Sequence, residues 1–246
     1  MKKRIFIAFI VLFSVLHCSS TTWFPEKKKC PLCNSTNEYM VVGSYGSYID
    51  SWPSKYQFIF WPSPDGQVLY CCPDCKLTLF MWDFESIPDE LADSLKTYLK
   101  TVDLDKKYKK YYEIPMSLRL EIAEGVYKIM GQNDDWWCWF YRVMGYHYEN
   151  ENEENKALQS RKTALNIAGQ LFEDESYDGR QKEYLFIMAS MLHFTYGYDE
   201  ALQILDKAKE YTFSDPTVSA EDAANFNEYL DTLLSELKEM VVKAKN

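Results

Sequence analysis

Two short cysteine units constrain this chain more than any other feature: Cys30-Pro31-Leu32-Cys33 and Cys72-Pro73-Asp74-Cys75, with 38 residues between them. A single CxxC places two sulfurs on one tight turn. Two such turns brought together supply four sulfurs at the corners of a tetrahedron, the arrangement of structural zinc. The proline after each first cysteine fixes φ and stiffens the turn. Such a knuckle ordinarily carries glycine after its second cysteine, because the backbone there turns left-handed. Asn34 and Lys76 occupy those positions, and asparagine tolerates that conformation better than lysine.

Metal is the leading reading of Cys30, Cys33, Cys72 and Cys75, with zinc first and iron fitting the same four-sulfur cage. Two other chemistries suit the same residues. An exported chain meets oxidising conditions in which cysteines pair, and a CxxC can lower one thiol pKa for thiol–disulfide exchange. A thioredoxin-like site would need its CxxC at the start of a helix in a βαβ setting, which neither unit has. Cys71 neighbours Cys72 and points to the opposite face of a strand. It is read as a bystander that replaces Cys72 only if the register slips by one. Cys138, between Trp137 and Trp139, is read as buried and inert.

The first residues read as export machinery. "MKKR" is basic and "IFIAFIVLFSVL" is apolar, too short for a bilayer span of about twenty residues. Residues 1–17 therefore read as a signal peptide. "HCSSTT" follows and resembles a bacterial lipoprotein processing site, with Cys18 as the lipidated residue and 18–29 as a tether. The residue before such a cysteine is ordinarily small, and His17 departs from that rule. Plain secretion and an uncleaved N-terminal anchor are the alternatives to a lipid-anchored envelope protein. The chain carries a net charge of −10. Loss of Lys2, Lys3 and Arg4 leaves 24 basic against 37 acidic residues, or −13. Such a surface disfavours nucleic acid and anionic lipid as partners.

The fold class expected is α+β, mainly α. A small zinc-ribbon-like β module over 30–85 precedes a tetratricopeptide-like helical array over 86–246. Between the knuckles, "YQFIFW" is rich in aromatic and β-branched residues and "SPDGQ" is a turn signal, so that spacer reads as β hairpins. Farther on, Ser86 and Pro88 suggest a helix start, and "PMSLRLEIAEGVYKIMG" reads as a helix opened by Pro115 and closed by Gly131. The chain then repeats itself. Tyr141, Met144, Gly145, Tyr148, Ala157 and Ala164 recur 44 positions later as Leu185, Met188, Ala189, Leu192, Ala201 and Ala208. Small residues let paired helices approach while large ones fill the notch between them. The repeats run about 138–181 and 182–215, and a final helix over 219–243 caps the stack. The period exceeds the usual value of about 34, and a longer second helix in the first copy accounts for the surplus. Trp136, Trp137, Trp139, His147 and His193 read as packing or surface residues, and the acidic run from Glu149 as a solvated turn.

In order along the chain, "CPLC", a β-rich spacer, "LYCCPDCKLTLFMWDF", "YEIPMSLRLEIAEGVYKIMG" and the repeat helices resemble a bacterial domain-of-unknown-function family, numbered twenty-two twenty-five. The resemblance covers about Cys30 to Thr212. It implies a metal-binding ribbon joined to a helical repeat and carries no activity with it. Four cysteines leave a metal no open coordination position, and the sequence holds no HExxH, GxSxG or phosphate-cradling glycine loop. The reading is a non-enzymatic protein whose helical repeat takes a protein or peptide partner, with a thiol–disulfide protein using the CPxC pairs as the alternative.

Overall fold

The computed structural model describes residues 22–44 and 53–246. The expected signal peptide, the lipidation site Cys18 and the start of the tether lie outside the described residues. The rest of the expected tether, Thr22–Lys29, is strand β1. It pairs antiparallel with β2, Thr36–Ser44. A second antiparallel pair joins β3, Leu69–Cys71, to β4, Thr78–Phe80. Each CPxC unit thus forms the turn of a hairpin.

Seven helices follow: α1 Ala92–Thr101, α2 Met116–Met130, α3 Asp134–Asn150, α4 Glu154–Glu173, α5 Gln181–Phe194, α6 Tyr198–Ala208 and α7 Ala220–Lys245. The protein is α+β, mainly α. No helix among the described residues is long and apolar enough to cross a membrane.

Local chemistry sets the boundaries. Pro115 precedes α2, whose first-turn N–H groups have no intrahelical acceptor. Glu151, from the end of α3, supplies one, accepting from Met116 N at 2.8 Å and Ser117 N at 2.9 Å. Glu151 belongs to the acidic run, which is therefore partly a capping device as well as a solvated turn. Gly131 ends α2 in the left-handed conformation, φ 78°. Asn133 caps α3 through Trp136 N at 2.9 Å, and Ser219 caps α7 through Asp222 N at 3.1 Å. The expected start at Ser86 moves downstream, because residues Asp89–Leu91 form a 3-10 turn before α1 begins.

The repeat positions fall on equivalent helices. α3 and α4 form one hairpin and α5 and α6 the next, with consecutive helices packed on one another through to α7. A Cβ at Gly145 would lie 2.8 Å from Arg161 Cγ, which is why a small residue brings α3 onto α4. Helix α4 has 20 residues and α6 has 11, a difference that accounts for most of the surplus in the repeat period. Trp136, Trp137 and Trp139 are half-buried and pack among Tyr127, Phe140 and Tyr141.

The segment between the hairpins departs from expectation. "YQFIFW" is not a β hairpin. Pro53–Gln57 is a 3-10 turn, and the chain beyond it is irregular until β3. This strap lies across a face of the helical stack, where its backbone carbonyls are claimed by side chains from the helices. Arg142 donates to Phe58 O at 2.9 Å and to Gln57 O at 3.4 Å. Ser190 donates to Tyr56 O, and His147 Nε2 donates to Ser63 O at 2.9 Å. Arg161 donates to Gln57 Oε1 at 3.0 Å, and Lys55 pairs with Glu236 at 2.8 Å. Phe58 packs on Phe186 and Phe226 at centroid distances of 5.4 and 6.1 Å. Burying such a ring contributes roughly 2 kcal/mol or more. A strand ladder would have had to replace all of these hydrogen bonds at once, and buried carbonyls go where donors are.

Two hydrophobic clusters result. One joins both hairpins to α1, α2 and α3; the other joins the strap to α3 and the helices after it. Arg119, itself buried, links α2 to the second hairpin by donating to Gly66 O at 2.8 Å and Leu69 O at 2.7 Å.

Candidate metal centre

The two knuckles have the same backbone geometry. In the first, Cys30 N donates to Ser35 O at 2.8 Å and Asn34 N to Cys30 O at 3.0 Å. In the second, Cys72 N donates to Leu77 O and Lys76 N to Cys72 O, both at 2.8 Å. Asn34 and Lys76 are both left-handed, with φ of 65° and 67°. Lys76 holds a conformation that disfavours side chains, and its ammonium is anchored on Val102 O at the end of α1. The missing glycine therefore leaves the turn unchanged.

The hairpins bring the four sulfurs of Cys30, Cys33, Cys72 and Cys75 within 4.8 Å of one another. Cys30 Sγ lies 3.6 Å from Cys75 Sγ, and Cys33 Sγ lies 3.7 Å from Cys72 Sγ. All six described cysteines are free thiols. This group could hold a metal ion. Cys71 stays out of it: its buried thiol donates to Lys76 O at 3.8 Å, and burial raises its pKa to about 11. Cys138 is buried and donates to Ala164 O at 3.6 Å.

Hydrogen bonds around the cluster favour negative charge on sulfur. The Cys33 N–H faces Cys30 Sγ, the Cys75 N–H faces Cys72 Sγ, and the Leu77 N–H faces Cys75 Sγ. Ser35 Oγ sits 3.3 Å from Cys72 Sγ and 3.1 Å from Cys33 Sγ. Among bare thiols, one anion is strongly favoured. Donation from Cys30 and then Cys75 holds Cys72 far below the usual thiol range. Hydrogen bonding to Cys72, then burial, pushes Cys30 up to about 12, and hydrogen bonding to Cys30 and then Cys72 drives Cys75 higher still. Four thiolates together require a cation among them.

The centre has a sealed side and an open side. Cys30 and Cys72 are fully buried, Cys33 is exposed and Cys75 half-buried. The open side faces a cleft of about 320 Å³ against α1, lined by Cys33, Cys75, Lys76, Lys96 and Lys100. Sequence reasoning identified the four sulfurs and missed their surroundings. Nothing in the sequence singled out Tyr39, whose ring packs against Tyr70, Phe84 and Tyr111.

Of the family resemblance, the structure carries the four-cysteine group and the mostly helical body. No protein-family model matches the chain, and no curated protein or solved structure matches it either.

Proposed function

We propose that this chain is a non-catalytic envelope protein in which a structural zinc ion staples two β hairpins to a helical array, and the array offers a surface to a protein or peptide partner. One observation carries the reading: four sulfurs from two matched hairpin turns converge within 4.8 Å. Four sulfurs each about 2.3 Å from zinc stand about 3.8 Å apart at tetrahedral angles, and the Cys30–Cys75 and Cys33–Cys72 pairs stand at 3.6 and 3.7 Å. A divalent ion with four thiolates carries two negative charges. The three lysines in the cleft suit that charge in an otherwise acidic protein.

The partner surface in this reading lies beside the strap rather than beneath it. There, Phe60, Trp136 and Trp139 border a cleft of about 420 Å³. Its polar rim is Arg180, which bonds Asp135 at 2.9 Å and Glu183 at 2.9 Å. Aromatic walls with a charged rim suit an apolar side chain on a polar peptide backbone. Export and a lipid on Cys18 complete the proposal from the sequence and place the protein at the envelope membrane.

Elemental analysis of protein purified from the envelope fraction tests it. The expected result is one zinc per chain, with four thiols shielded until a chelator is added. Exposed Cys33 favours one competing reading, thiol–disulfide chemistry. In that case no metal co-purifies and the count of free thiols follows the redox poise. Cys18→Ala moves the protein to the soluble fraction if the lipid anchor is real.

A further inference from the structure

The sealed side of the centre holds a polar atom without a conventional partner. Tyr39 is fully buried, and its hydroxyl makes no hydrogen bond that meets ordinary geometry. Its two tyrosine neighbours are satisfied: Tyr70 donates to Met40 O at 2.7 Å and Tyr111 to Gln67 O at 2.9 Å. Tyr39 shares one buried cluster with Cys30, Cys71 and Cys72, and after burial itself it is these sulfurs, Cys72 first, that act on its hydroxyl. Buried hydroxyls are almost always paired, so this one calls for an acceptor that a neutral thiol, a weak acceptor, does not provide.

We infer that Tyr39 is a positioning residue of the metal centre, donating its phenolic hydrogen to the Cys72 sulfur when that sulfur is a metal-bound thiolate. The inference rests on the metal reading above and deepens it. A thiolate bound to a divalent ion keeps lone pairs and much of its charge, and it accepts a charge-assisted hydrogen bond. Ser35 and Asn37 approach the same sulfur at 3.3 and 3.9 Å, but neither is buried. Tyr39 is therefore the donor that water does not replace. Filling the site satisfies the phenol, and the satisfied phenol in turn favours the filled site. Outer groups of this kind orient and tune the ligands they touch.

Cobalt(II) titration of the metal-stripped full chain tests this, because cobalt bound by thiolates absorbs through sulfur-to-metal charge transfer. Tyr39→Phe keeps the ring and removes only the donor. It is expected to weaken cobalt binding about 10-fold and to shift the charge-transfer band to lower energy, as electron density returns to sulfur. Tyr70→Phe, which removes an equally buried hydroxyl bonded to a carbonyl, is expected to leave the band in place. The band decides the matter, since it reports on the sulfur and not on how readily the chain folds. A Tyr39→Phe band identical to the wild-type band overturns the inference while leaving the metal reading intact. A wild-type chain that binds no cobalt overturns both.

Discussion

Stripping the metal should remove a large, calculable part of the stability. An ion held by the four sulfurs would join Cys33 to Cys72, 39 positions apart, and so close a loop that contains the strap. Cross-linking a loop of that size withdraws about 4 kcal/mol of chain entropy from the unfolded state at 25 °C. Ordinary domains are stable by only about 5–15 kcal/mol. The loss is therefore on the order of a third of the total or more, before any direct metal–ligand energy is added. Affinity of the ion for unfolded cysteines would reduce the effect. Urea unfolding followed by tryptophan fluorescence, with and without chelator, measures it. Cys33→Ser with Cys75→Ser is the genetic counterpart, chosen because those two ligands face solvent and disturb the core least. A chelated protein that unfolds within about 1 kcal/mol of the loaded one would refute the claim that the ion staples the hairpins together.

The remaining predictions concern the strap and the stack. Burial lowers the His147 pKa from 6.5 to about 4 while its ring stays bonded to Ser63 O. The unfolded chain then takes up a proton that the folded chain refuses. The associated stability is complete above pH 6.5 and falls as pH drops toward 4, by about 2 kcal/mol at pH 5; urea midpoints at pH 7 and 5 should show this slope, and His147→Gln should abolish it. Phe58→Ala empties a site bounded by Phe186 and Phe226 and should cost about 3–5 kcal/mol, read as a lower melting temperature. Gly179→Ala adds a Cβ 2.3 Å from the Ser214 carbonyl oxygen at a φ of +92°. It should destabilise by more than about 1 kcal/mol in the same melt.

The parts of this protein legible in its sequence are those fixed by local rules. Four sulfurs on two turns are a local statement twice over, and the left-handed φ after each second cysteine followed from the turn itself. The repeat was legible because Gly145, Ala157, Ala189 and Ala201 mark helix contacts that recur at one spacing. "YQFIFW" misled for the opposite reason. Its composition is that of a strand, but β propensity records a fit to a half-buried pleated surface. The surface this segment meets is made by Arg142, His147, Arg161 and Ser190, between 84 and 134 residues farther along. No window around Tyr56 contains those donors. Tyr39 was equally hidden, because Cys71 and Cys72, which share its buried cluster, belong to the other hairpin.

The strap also sets an order of events during biosynthesis. A ribosome or a secretion channel delivers the chain N-terminus first, and both knuckles emerge long before the helices that shelter residues 53–63. Tyr56 must wait for Ser190, 134 residues behind it. Throughout that interval a sticky aromatic run is uncovered, and such runs seed misassembly. Early capture of an ion by the knuckles would tether both ends of that run on a short leash, so the metal would act as a chaperone to the nascent chain before it served as a fastener in the finished one.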